Sequence, residues 1–150
     1  MSDRKPSALV TGARRGTFSP DGRWLAYESR VSGRSEIYVQ PFAGPGDRMQ
    51  VSRDGGVQAR WRADGRELYF VGLDRQLLAV SVGVSGGGRA IDLGSPAPLF
   101  LSALRNVATG PERAEYLVAP DGQRFFMNAG GGEGPQAPMH LILNWRAPTP

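Results

Sequence analysis

Asp21, Asp64 and Asp121 each stand before a glycine (Gly22, Gly65 and Gly122) and between two strand-like runs. Repeated carboxylates are the side chains for a shared metal or for acid–base work. A calcium loop needs several oxygen ligands at alternating positions, and none of the three stretches supplies them. Turn chemistry explains them better: aspartate accepts from the backbone two residues on, and glycine accepts positive φ. The six residues are therefore expected to be structural turns, each in its own repeat and far from the others. Gly83-Val84-Ser85-Gly86-Gly87 has the spacing of a hydrolase nucleophile, but that serine must lead into a helix. Gly87-Gly88-Arg89-Ala90 will not nucleate one, so a flexible loop is expected. His140, the single histidine, lies in an apolar run and is expected to be a partly buried structural residue. Trp24, Trp61 and Trp145 lie in strand-like runs and are expected to pack between repeats. No catalytic residue, cofactor or metal site is assigned.

The chain has 150 residues, 40% of them hydrophobic and 21% charged, which is globular composition. It has no cysteine, which excludes disulfides, thiolate metal sites and a cysteine nucleophile. One histidine excludes a multi-histidine metal cluster. The net charge is +4, but the arginines are scattered beside Asp21, Glu36, Asp64, Glu67 and Asp74, and no basic run occurs. That is a mixed-charge solvated surface and not a nucleic-acid face. Neither a signal peptide nor a stretch of membrane-spanning length is present, so the expected location as written is cytoplasmic. Within a longer membrane-anchored protein it would be extracytoplasmic.

The elements that hold the turns repeat with them. Phe18-Ser19-Pro20-Asp21-Gly22-Arg23-Trp24-Leu25-Ala26-Tyr27 is followed by Trp61-Arg62-Ala63-Asp64-Gly65-Arg66-Glu67-Leu68-Tyr69-Phe70 and by Val118-Ala119-Pro120-Asp121-Gly122-Gln123-Arg124-Phe125-Phe126-Met127. After a flexible lead-in over 1–14, strands are expected at 16–19, 23–29, 36–40 and 48–52. A second unit follows with strands at 57–62, 67–71 and 76–82. The third has strands at 115–119, 124–128 and 139–145, and no fourth. The approximate unit boundaries are 15–53, 57–100 and 114–146, with a tail over 147–150. Four antiparallel strands in about 40 residues match one propeller blade. The interval from Asp64 to Asp121 is 14 positions longer than that from Asp21 to Asp64. The excess lies between Gly83 and Ala114, where Gly86-Gly87-Gly88 and Pro96-Ala97-Pro98 are expected to break regular structure and a helical turn is expected near Leu104–Glu112. The fold class predicted is all-β: a partial β-propeller of about three four-stranded antiparallel blades, the third incomplete.

The 18–27 run followed by Glu36-Ile37-Tyr38-Val39 resembles the repeat of TolB-type, WD-like β-propellers. Residues 32–46, Val51-Ser52, Gly55-Gly56, 60–70, 94–100, 121–125 and 141–145 together resemble the C-terminal propeller of bacterial membrane-anchored serine/threonine protein kinases. The resemblance covers about residues 16–146. No kinase signature is present, so it implies the propeller alone, a module for sensing or protein interaction. The alternatives are the accessory propeller of a prolyl-oligopeptidase-like hydrolase and a small-ligand or metal-binding propeller. A closed propeller has about 4–8 blades. Three units leave terminal faces bare, on the first unit as on the third, so the expected partners are a protein, missing blades, or a second copy of the chain.

Overall fold

A computed structural model describes residues 10–42, 46–104, 115–128 and 140–142, the last three by their backbone. All regular structure among them is β. The first sheet runs β1 (Ala13–Phe18), β2 (Trp24–Ser29), β3 (Glu36–Pro41) and β4 (Met49–Gln50), in chain order. The second has β5 (Val57–Trp61), β6 (Glu67–Val71) and β7 (Gln76–Ser85) in order. Two further strands, β8 (Ala90–Leu93) and β9 (Ala97–Leu101), both pair with β7. The third has β10 (Tyr116–Val118), β11 (Phe125–Met127) and β12 (His140–Ile142). Every pairing is antiparallel. Three sheets that each meander strand by strand along the chain are three propeller blades, the third with three strands among the described residues.

The first strands of successive sheets are neighbours: β5 lies against β1, and β10 against β5. Two apolar clusters fill the spaces between sheets. One joins Trp24, Ala26, Ile37 and Val39 to Ala59, Leu68, Phe70 and Val80. The other joins Val57, Tyr69, Val71 and Leu77 to Tyr116, Phe125 and Met127. The second sheet is thus buried on both faces, which is why Glu67–Val71 is apolar at successive positions instead of alternating.

Several expectations are corrected. The first strand starts at Ala13, inside the expected lead-in, because Ala13 and Arg14 pair with Ser29 and Glu28. Over the described residues 83–104, the excess of the second interval is mostly paired strand and not broken structure. Strand β7 continues through Gly83 to Ser85, and Val82–Ser85 pair with Ala90–Leu93 in a hairpin whose tip is Gly86–Gly88. Strand β9 then returns to the first half of β7 and completes the sheet, with Pro98 tolerated because it lies on an edge strand. The helix expected near Leu104–Glu112 lies outside the described residues except for Leu104, which is buried in the second cluster. The first sheet is not simply bare on its far side either. Tyr27 and Tyr38 are stacked there at 5.9 Å, 0% and 4% exposed, while Phe18 and Phe42 beside them are exposed.

The β6–β7 turn carries a non-glycine residue in the left-handed region: Arg75 has φ 71° and an exposed side chain. An L-residue there costs about 1–2 kcal/mol, partly offset by the extra freedom glycine has when unfolded. Arg75→Gly is expected to stabilise the chain by about 0.5–1 kcal/mol, read as a higher urea midpoint at constant slope.

Candidate functional site

The three Asp-Gly turns share one geometry. Asp21, Asp64 and Asp121 accept through Oδ1 from the backbone N–H of Arg23, Arg66 and Gln123 at 3.1, 3.0 and 2.9 Å. Gly22, Gly65 and Gly122 have φ of 70°, 74° and 69° and donate to the carbonyls of Ser19, Arg62 and Ala119. At the first turn the Ser19 hydroxyl donates to Asp21 at 2.5 Å and accepts from Trp24 N at 3.0 Å. The turns also lean on one another. A Cβ on Gly122 would lie 2.6 Å from the Tyr69 hydroxyl oxygen, so the third turn needs glycine for close approach as well as for φ.

Asp21 and Asp64, expected to lie far apart in separate repeats, are instead brought to one wall. Both line one cavity of about 290 Å³, together with Trp24, Trp61 and the hairpin residues Val82, Val84 and Ile91. The hairpin tip is held over this end of the molecule by Arg23 Nη1, which donates to Gly87 O at 2.9 Å. A second cavity, of about 400 Å³, opens beside the segment Ser52–Gly55, with Asp74 and Phe70 in its wall.

The Ser19 hydroxyl, with the Arg23 N–H and guanidinium, holds the Asp21 carboxyl below its ordinary 3.8, against a smaller opposing effect of burial. A depressed folded value means that ionised Asp21 stabilises the fold above about pH 4, and that this contribution is lost as pH falls through the folded value. Asn at this position keeps the turn acceptor and cannot titrate. Asp21→Asn is therefore expected to flatten the fall in melting temperature between pH 5 and pH 2.5, measured by circular dichroism.

Ser85 of the Gly-x-Ser-x-Gly run lies at the end of β7, where its hydroxyl donates to Asp92 Oδ2 at 3.4 Å across the hairpin. The run is a strand and a hairpin turn and does not lead into a helix. Trp24 and Trp61 lie between the first two sheets, and Trp61 Nε1 donates to Thr17 O at 3.2 Å. His140 pairs with Met127 through the backbone; its side chain, and the whole of Trp145, lie outside the described residues. Among the described residues no group of three or more His, Asp or Glu side chains is placed to hold a metal.

The repeat holds a further set of residues that the turns obscure. Arg15, Gln58 and Glu115 each stand six positions before a turn aspartate. The first two have positive φ, 47° and 58°, at bulges in β1 and β5. These bulges turn polar groups from one sheet toward the next. Arg15 donates to both carboxylate oxygens of Glu28 at 3.1 Å, and Gln58 N donates to Glu28 Oε1 at 2.6 Å. Gln58 Nε2 donates to Glu115 Oε2 at 2.6 Å, Glu115 N donates to Gln58 Oε1 at 2.9 Å, and the Tyr116 hydroxyl donates to Gln58 O at 2.8 Å. Burial pushes the Tyr116 phenol far above its ordinary value, so it stays a donor. This line of bonds, charge-assisted at Glu28 and Glu115, crosses all three inner strands. Aligning the three repeats backward from the aspartates marks the three positions but not their shared role, since the residue types differ.

Repeat alignment also identifies the faces. Five positions after the aspartates stand Ala26, Tyr69 and Phe126. Ala26 is buried against the second sheet and Tyr69 against the third. Phe126 is 37% exposed, and Leu117, opposite it on β10, is 59% exposed.

Comparison with one solved structure agrees with this architecture. The crystal structure of TolB from Acinetobacter baumannii superposes with a TM-score of 0.57 at 20% identity, covering 90% of this chain and 31% of that one. A putative 6-phosphogluconolactonase from Bacteroides uniformis ATCC 8492 has a TM-score of 0.45 at 19% identity, covering 85% of this chain and 38% of that one. No family model matches the chain, and no curated protein matches it. The fold is that of a TolB-like β-propeller, and the chain spans under a third of the TolB chain it resembles.

Proposed function

We propose that this chain is a protein-interaction module that works as part of a larger propeller, and that the larger protein is a receptor of the membrane-anchored serine/threonine kinase type. One observation carries the first half of this reading. Phe126 occupies the repeat position that packs on the following sheet in both earlier blades, and in the third blade it faces solvent beside Leu117. An apolar pair at a blade-facing position is a surface for another protein element. The described residues contain no helix long and apolar enough to cross a membrane. The kinase half of the reading is supported by the ordered resemblance over residues 16–146.

The test is the coding sequence on either side of this chain, followed by expression of the encoded whole. A kinase domain and a membrane span joined to these repeats support the reading. A hydrolase catalytic domain in the same frame overturns it in favour of an accessory propeller.

A further inference from the structure

The cavity between the first two Asp-Gly turns is bounded by chain that the propeller does not need. Strand β9 already completes the second sheet, yet the hairpin Val82–Leu93 is added and folds toward the first sheet. Val84 and Ile91 of that hairpin, with Trp24, Trp61, Asp21 and Asp64, form the greater part of the wall. The volume of about 290 Å³ suits one long side chain rather than a larger ligand.

The chemistry of the wall is that of a site for an aliphatic cation. Indole rings attract a cation, and the apolar hairpin side chains can cover a methylene stem. Val84 is 52% exposed, an apolar side chain left in water on this wall. Asp21 and Asp64 both line the cavity, whereas Arg23 and Arg62 do not. Each carboxylate uses Oδ1 for its turn and meets its arginine only loosely through Oδ2, at 3.9 Å for Arg23 and 3.4 Å for Arg62. The Arg23 pair is exposed and worth little, while Arg62 is partly buried and also held by Glu67, which leaves Asp64 Oδ2 only one of its two carboxylate partners. Trp24 is 5% exposed, and its indole N–H is buried beneath the wall without a hydrogen-bond partner in the protein.

The geometry points to recognition of a single lysine side chain of a partner polypeptide. Its ammonium sits between Asp21 and Asp64, and its stem lies along Trp61, Val84 and Ile91. This inference deepens the reading of the chain as a protein-interaction module and rests on it. It does not depend on what covers the third blade.

The probe is N-acetyl-lysine-N-methylamide, with N-acetyl-norleucine-N-methylamide as its uncharged counterpart. Each is titrated into the full chain while the indole N–H signals of Trp24 and Trp61 are followed by NMR. The expected result is saturable shifts of both signals by the lysine probe in the millimolar range, as suits so small a ligand, with norleucine about tenfold weaker. Asp21→Asn and Asp64→Asn keep the turn acceptors, and each should weaken the lysine probe by about fivefold while shifts elsewhere in the sheets stay unchanged. Equal binding of the two probes, undiminished binding by both Asn variants, or no saturable shift would overturn the proposal. Since the third blade is not involved, such failure leaves the association behaviour of the chain as it was, and the module reading stands or falls separately.

Discussion

Glu36→Ala is expected to destabilise the chain by about 3 kcal/mol, the cost of removing a buried acceptor from several donors at once. Glu36 opens β3 and is 1% exposed. Its carboxylate accepts from Arg34 Nε at 2.6 Å, from Gly55 N at 3.1 Å and from the Ser52 hydroxyl. The Ser52 hydroxyl in turn accepts from Ile37 N at 2.8 Å. One side chain therefore ties the end of the first sheet to the segment that carries the chain into the second. Alanine leaves Gly55 N–H and the Ser52 hydroxyl buried without their acceptor. Arg34 is half exposed and rehydrates, so most of the loss comes from the backbone and serine. Glu36→Gln, which keeps one carbonyl oxygen, should cost about half as much. The measurement is urea unfolding, read as a lower midpoint at constant slope.

The second large effect is expected at Tyr69, which couples the second sheet to the third. Its ring is 1% exposed and meets Phe125 edge-on at 5.1 Å. Its hydroxyl donates to Glu67 at 2.5 Å beside the Gly122 turn. Burial first, and the Glu67 carboxylate second, hold the phenol protonated far above its ordinary range, so this bond persists through alkaline solution. Truncating a large buried aromatic residue costs about 3–5 kcal/mol, and Tyr69→Ala is expected near 4. Because Tyr69 belongs to the cluster shared with Tyr116, Phe125 and Met127, the loss should be local first. Hydrogen exchange should show β10 and β11 losing protection while β2 and β3 keep theirs. Tyr69→Phe removes only the hydroxyl and should cost about 1 kcal/mol. Equal loss of protection in all sheets would contradict the modular packing.

Local chemistry made some of this legible in the sequence. Each turn is specified within five residues, by an aspartate that caps its own backbone and a glycine at positive φ. The strands beside the turns follow from the repeat. The hairpin is masked in the sequence because Gly86-Gly87-Gly88 looks like a breaker, although Val80, Val82 and Val84 already alternate with small or polar residues, as a half-buried strand does. Its persistence depends on pairing with Ala90–Leu93, which single residues do not announce. The line from Arg15 to Tyr116 was hidden for another reason. Arg15, Gln58 and Glu115 differ in type, and their common role appears only where bulges bring them to Glu28 and to each other. That Asp21 and Asp64 share a cavity is likewise a product of blade stacking, since 43 positions separate them.

In the proposed reading these three sheets belong to a larger β-assembly that covers the Leu117 and Phe126 face of the third. Light scattering on the purified chain, taken across a wide concentration range, tests it most directly. The predicted result is a molar mass that climbs above the 16.1 kDa of one chain as concentration rises, because the open face recruits further copies when its proper partner is absent. A mass fixed at 16.1 kDa at every concentration, from a chain that melts only at high temperature, would contradict it.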